Sequence, residues 1–143
     1  MINSYKHLAK RFYTAKTWTF KEATSWQQSF NQSHIPKDNI SISFSRSSGP
    51  GGQNVNKVST KVDMRLSLSK ANTWLPDYAI KNLKNSTQLR KSKENELIIT
   101  SDRSRSQAKN IQDCYEKLTG IIRESVAVAK EPDQATLLRV EQL

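Results

Sequence analysis

The chain has 143 residues, enough for one compact domain of about 100 residues with flanking segments. Its formal net charge of +10 points to a polyanionic partner, either nucleic acid or an anionic membrane surface. Cys114 is the single cysteine, which excludes an internal disulfide and the usual thiolate zinc sites. No run approaches the roughly 20 apolar residues of a bilayer span.

Residues 1–20 hold Lys6, Lys10, Arg11 and Lys16, many hydroxyl residues, scattered apolar ones and no acid; the first acid is Glu22. This composition predicts a mitochondrial targeting segment and hence a matrix location. The competing reading is a basic arm that touches RNA. Residues 21–38 read as a polar connector closing at Pro36, with Trp26 and Phe30 spaced to form one face of a short helix packed on the domain.

Ile40, Ile42 and Phe44 alternate with serines, the period-two pattern of a half-buried strand. Arg46 to Asn56 has no periodicity and reads as a long loop. Val58, Val62, Met64, Leu66 and Leu68 then mark a second strand, making an antiparallel pair with an extended tip. Thr73 is a candidate N-cap for a helix opened by Pro76, with Leu75, Ala79, Ile80 and Leu83 as its apolar stripe. Lys84 to Lys93 reads as a solvated basic connector. Leu97, Ile98 and Ile99 read as a fully apolar core strand. A turn at 102–106 leads into a last helix whose stripe is Ile111, Cys114, Tyr115, Leu118, Ile121 and Ile122, with Cys114 as a buried structural thiol. The order strand, strand, helix, strand, helix predicts a small α+β layer: a mixed sheet with helices on one face.

The loop carries the chemistry. Three of the four glycines lie at Gly49, Gly51 and Gly52, directly before Gln53. Glycine lets backbone approach a partner closely. The Gln53 side-chain amide does not titrate, so it orients water rather than acting as a general acid or base. Its backbone N–H, left accessible by the glycines, is a donor for a developing oxyanion. The loop has no nucleophile with a base beside it, since His7 and His34 both lie upstream, and it has no metal cage. Such a loop suits hydrolysis of an ester or thioester held in place by something else. Arg46, Asn54, Asn56, Lys57 and Lys61 surround the tip as candidate RNA contacts. Between residues 37 and 93, eleven basic side chains face three acidic ones.

The tract Ser45-Arg46-Ser47-Ser48-Gly49-Pro50-Gly51-Gly52-Gln53-Asn54-Val55-Asn56-Lys57-Val58 resembles the catalytic-loop signature of class-I peptide-chain release factors. Trp74-Leu75-Pro76 and Ser101 to Gln107 resemble landmarks of the small codon-independent branch: the mitochondrial rescue peptidyl-tRNA hydrolases and the bacterial alternative rescue factors of B type. The similarity covers residues 39–132. It implies the release-factor GGQ catalytic domain, acting in the peptidyl-transferase centre of the large ribosomal subunit, where water attacks the peptidyl-tRNA ester. It further implies catalytic roles for Gly51, Gly52 and Gln53 and methylation of Gln53. No metal, cofactor or membrane is implied, and the expected state is a monomer. The chain lacks length for stop-codon-reading domains, so the expected activity is codon-independent release on stalled mitochondrial ribosomes. Two alternatives stand beside it: a non-enzymatic RNA-binding ribosomal component, and a hydrolase of free peptidyl-tRNA. Residues 133–143 read as a short tail with Arg139 against Asp133 and Glu141, where this branch usually carries a long basic extension. A factor without an mRNA-channel contact and a shortened sequence both fit.

Overall fold

The computed structural model describes residues 17–46, 59–130 and 134–142. Helix α1 spans Phe20–Ser29, strand β1 Ile40–Ser45 and strand β2 Lys61–Ser67. Short helix α2 follows at Leu68–Ala71 and helix α3 at Asp77–Asn85. Strands β3 (Arg90–Lys91) and β4 (Glu96–Ser101) precede the long helix α4 (Gln107–Val126). Helix α5 covers Gln134–Glu141. The sheet order is β1-β2-β4-β3. Every pairing is antiparallel, so the expected mixed sheet is corrected to an antiparallel one within the α+β class.

The alternation along β2 explains the layer. Val62, Met64 and Leu66 point to one face and are fully buried, while Lys61, Asp63, Arg65 and Ser67 point to the other and stay partly exposed. On β4 the inward register partners of the apolar set are Ser101, Ile99 and Leu97. Ile98 lies on the opposite face and is only partly buried, so β4 is half-buried rather than fully apolar on both faces. The stripe Cys114, Leu118, Ile122 and Val126 of α4 closes the inner face, each residue at 0% exposure. The α3 stripe of Leu75, Ala79, Ile80 and Leu83 is buried as expected. Tyr78 Oη donates to the Val126 carbonyl at 2.7 Å and Asn82 Nδ2 to the Ser125 carbonyl at 2.9 Å, which docks α3 on the C-terminal end of α4.

Three local expectations change. Leu68 leaves the second strand and begins α2, where Ser67 caps through its hydroxyl. Thr73 is not a cap: its hydroxyl donates to the Lys70 carbonyl, and Pro76 occupies the N-cap of α3 with no side-chain bond. The basic connector contains a strand, β3. In it Lys91 Nζ donates to the Lys84 and Ser86 carbonyls at 2.6 Å each, tying off the C-terminal end of α3. The stretch 21–38 carries the expected short helix packed on the domain. Thr19 caps α1 by accepting from the Glu22 N–H, and Ala23, Phe30 and Ile35 join the core. Trp26 and Phe30 do share a face, stacked at 4.4 Å and 14°. Trp74 stacks on Phe30 at 6.0 Å.

Burial pushes the Cys114 thiol up to about 11, and its Sγ lies 3.8 Å from the Ile99 carbonyl oxygen. A thiol kept protonated and covered is inert. We therefore expect no reaction of the native protein with a thiol-specific disulfide reagent at mildly alkaline pH, and one equivalent of reaction in concentrated urea. Rapid labelling of the folded protein would contradict the packing.

Candidate functional site

The predicted site is built on the β1–β2 pair. Ser45, the last residue of β1, is the register partner of Lys61, the first of β2. The chain therefore leaves and re-enters the sheet at adjacent points, with Arg46 exposed on the outgoing side and Lys61 half-buried on the return. Gly51, Gly52, Gln53, Asn54, Asn56 and Lys57 lie outside the described residues, as do residues 1–16 of the targeting expectation and most of the loop reading. Arg46 and Lys61 are brought together at the root.

The returning segment is held by side chains from the first turn of α4. Gln107 Nε2 donates to the Ser59 carbonyl at 2.8 Å. Asn110 Nδ2 donates at 2.8 Å to the Thr60 carbonyl and at 2.8 Å to the Ser104 carbonyl, while its Oδ1 accepts from the Ser104 N–H at 2.9 Å. Asn110 is fully buried. An amide is required here because the site needs two donors and an acceptor on one short, uncharged side chain. The same amide thereby places the 102–106 turn directly beside the loop root.

The turn has further fixings. Ser106 caps α4 by accepting from the Lys109 N–H at 3.3 Å, and the Ser104 hydroxyl accepts from the Ser106 N–H at 3.0 Å. Asp113 accepts from the Ser101 hydroxyl at 2.7 Å and pairs with Lys117 at 3.0 Å and Arg103 at 3.6 Å. The bonds from Ser101 and Lys117 hold its carboxyl below the usual range. Arg103, Arg105 and Lys109 are exposed. Among the described residues no group of His, Cys, Asp and Glu is disposed to hold a metal ion. His34 is engaged structurally, its Nδ1 accepting from the Asn31 N–H at 3.1 Å.

Gln107 and the turn arginines fall in the tract Ser101 to Gln107 noted for its resemblance but were given no role from the sequence, and Asn110 was not singled out at all. A signal for Asn110 was present: it sits four residues before Cys114 and eight before Leu118, a polar residue on an otherwise apolar stripe. That position demands buried partners.

Two measurements test this account. Replacing Asn110 by Ala leaves both carbonyls and one N–H without partners, and should cost about 2–4 kcal/mol in urea unfolding. A loss below about 1 kcal/mol would refute the latch. For Asp113 the folded carboxyl is depressed, so its contribution is present above the ordinary value of 3.8 and is lost as pH falls through the folded one. The stability difference between wild type and Asp113→Asn should therefore shrink from neutral pH to about pH 3. An unchanged difference would contradict the assignment.

Comparison with known proteins fits this architecture. The family model described as the RF-1 domain matches residues 28–142. The chain is 41% identical over 115 residues to the large ribosomal subunit protein mL62 of Mus musculus, covering 78% of this chain and 55% of that protein. It is 42% identical over 98 residues to the meiotically up-regulated gene 82 protein of Schizosaccharomyces pombe, covering 68% and 54%. It is 33% identical over 92 residues to the peptidyl-tRNA hydrolase ArfB of Pseudomonas putida, covering 64% and 66%. The chain thus spans about half the length of the first two relatives. With the family model matching most of its length, the chain belongs to the RF-1 domain family of release-factor-like proteins.

Proposed function

We propose that this protein hydrolyses the ester of ribosome-bound peptidyl-tRNA without reading a codon, and that it does so in the mitochondrial matrix. The observation that carries the reading is the Gly51-Gly52-Gln53 tract in a chain of the RF-1 domain family, rooted between two register-paired strands. A relative is named a peptidyl-tRNA hydrolase. The acid-free, hydroxyl-rich composition of residues 1–21 supports the matrix location.

In this reading Gly51 and Gly52 allow the backbone to come close to the terminal ribose of the tRNA. The Gln53 amide orients a water whose oxygen attacks the ester carbonyl carbon. A backbone N–H of the loop donates to the oxyanion that forms. The bond from carbonyl carbon to ribose oxygen then breaks, the peptide leaves as its acid, and the ribose oxygen takes up a proton. The Gln53 amide does not titrate and cannot supply that proton, so ribosomal RNA completes the site. This is why the substrate is peptidyl-tRNA held on the large subunit rather than free in solution.

A second reading has one observation behind it: a relative carries the name of a large ribosomal subunit protein. A constitutive component would stay with the large subunit through high-salt washing, whereas a factor held by phosphate contacts would wash off. The deciding experiment adds purified protein to ribosomes carrying labelled peptidyl-tRNA. Gln53→Ala and Gly52→Ala should release peptide about 100- to 1000-fold more slowly than wild type. Wild-type release no faster than that of the variants would sink the hydrolase reading.

A further inference from the structure

We infer that the turn formed by residues 102–106, together with Lys109, is a second phosphate-binding surface for RNA, held in fixed register with the loop root by Asn110. The inference rests on the reading above only in taking ribosomal RNA as the partner.

Three observations meet here. The first is placement. Val62 of β2 pairs with Ser101 of β4, and Ser45 of β1 pairs with Lys61, so Arg46, Lys61 and the turn all leave the same end of the sheet. The Asn110 amide nitrogen bonds the backbone on both sides, at Thr60 and at Ser104, so the two segments are one side chain apart. The second is rigidity. Ser104 has both its N–H and its carbonyl on Asn110, and the Ser106 N–H is bonded to the Ser104 hydroxyl. The arginines at 103 and 105 therefore flank a residue pinned through both of its backbone polar groups, which lowers the ordering cost of binding.

The third observation is charge. Arg103, Arg105 and Lys109 are exposed, and among the described residues Arg105 and Lys109 have no acid within ion-pair distance. Arg103 reaches Asp113 at 3.6 Å, but its side chain is 82% exposed and Asp113 keeps Lys117 and Ser101. An exposed pair of that kind is weak, so the guanidinium is available to exchange its partner. A planar guanidinium matches two phosphate oxygens at once, which a lysine does not. Two arginines two residues apart on a pinned turn that also carries Asp102, with Arg46 and Lys61 leaving the same end of the sheet, concentrate positive charge at that end. An RNA backbone supplies successive phosphates to such a surface.

The test is binding of the full chain to vacant large ribosomal subunits across a salt series. Arg103→Gln/Arg105→Gln is compared with Lys81→Gln/Lys84→Gln, an equal loss of charge on α3, which docks at the far end of α4. Removing two phosphate contacts should weaken binding by about tenfold or more and reduce the steepness of log K against log salt by roughly 1.4–1.8. The α3 pair should change affinity by less than about twofold, since charges more than a Debye length from the contact are screened. Arg105→Gln/Lys109→Gln, which leaves the Asp113 network intact, should behave like the first pair.

Equal losses from both ends of the molecule would mean diffuse charge attraction and overturn the inference. So would an affinity loss with no change of slope, which would assign the turn to a ribosomal protein. Binding with no salt dependence in the wild type would overturn it as well. The hydrolase reading fails separately: protein that binds through the turn yet releases no peptide refutes that reading and leaves this surface standing.

Discussion

The structure depends on one contact, the closure of β2 by α4. Val62, Met64 and Leu66 on the strand and Cys114, Leu118 and Ile122 on the helix are all withdrawn from water. At roughly 25 cal/mol per Å² of apolar surface, this seam supplies most of what the inner face can contribute to stability. It also sets direction. β2 is paired on both sides, by β1 and by β4, from Val62 onward, and its first residue, Lys61, pairs with Ser45 of β1. The returning arm of the glycine-bearing segment ends at that residue. The segment is thereby mounted between the edge strand β1 and the interior strand β2.

Apolar packing fixes where α4 lies but not how its first turn meets the loop root. That is done by polar groups inside the seam. Asn110 occupies the position of the helical stripe next toward the loop and replaces a methyl contact with three directed hydrogen bonds. Hydrophobic burial is non-directional, whereas an amide bonded to two backbone segments specifies their relative placement. Asp113, one helical turn further on, does the same more loosely through Ser101 and Lys117. Apolar burial thus positions the helix, and its buried polar groups set the register of the loop root.

Much of this was legible in the chain. The β1–β2 pair, the α3 stripe and the α4 stripe follow from period-two and period-3.6 alternation, because one-sided burial leaves that imprint directly. The pieces that were missed are those whose partners are backbone atoms far away in sequence. β3 is two residues long and looks like a charge run. Lys91 earns its place through carbonyls of α3, a relationship without a periodicity. α1, by contrast, was legible from its aromatic spacing despite its Gln and Ser content. Thr73 illustrates the opposite error, since a residue type suited to capping sat in a turn one step too early and bonded backwards. The antiparallel sheet was implicit in the hairpin of β1 and β2, but the pairing of β4 beside β2, across an intervening helix, depends on side-chain burial that no local pattern reports. At the site, the tract around Gln53 declared itself by composition, while the residues that aim its root did not.

β1 is the outermost strand of the sheet, and among the described residues nothing pairs with its outer side. Its six residues, Ile40 to Ser45, include no charge and no proline, and Ile42 and Phe44 are substantially exposed. An edge of that kind is an open template for a strand from another copy. What holds copies apart is their shared net charge of +10, and that repulsion acts only over a Debye length. Added salt therefore removes this protection against edge pairing, so self-association through β1 grows with ionic strength even though the fold itself is unchanged.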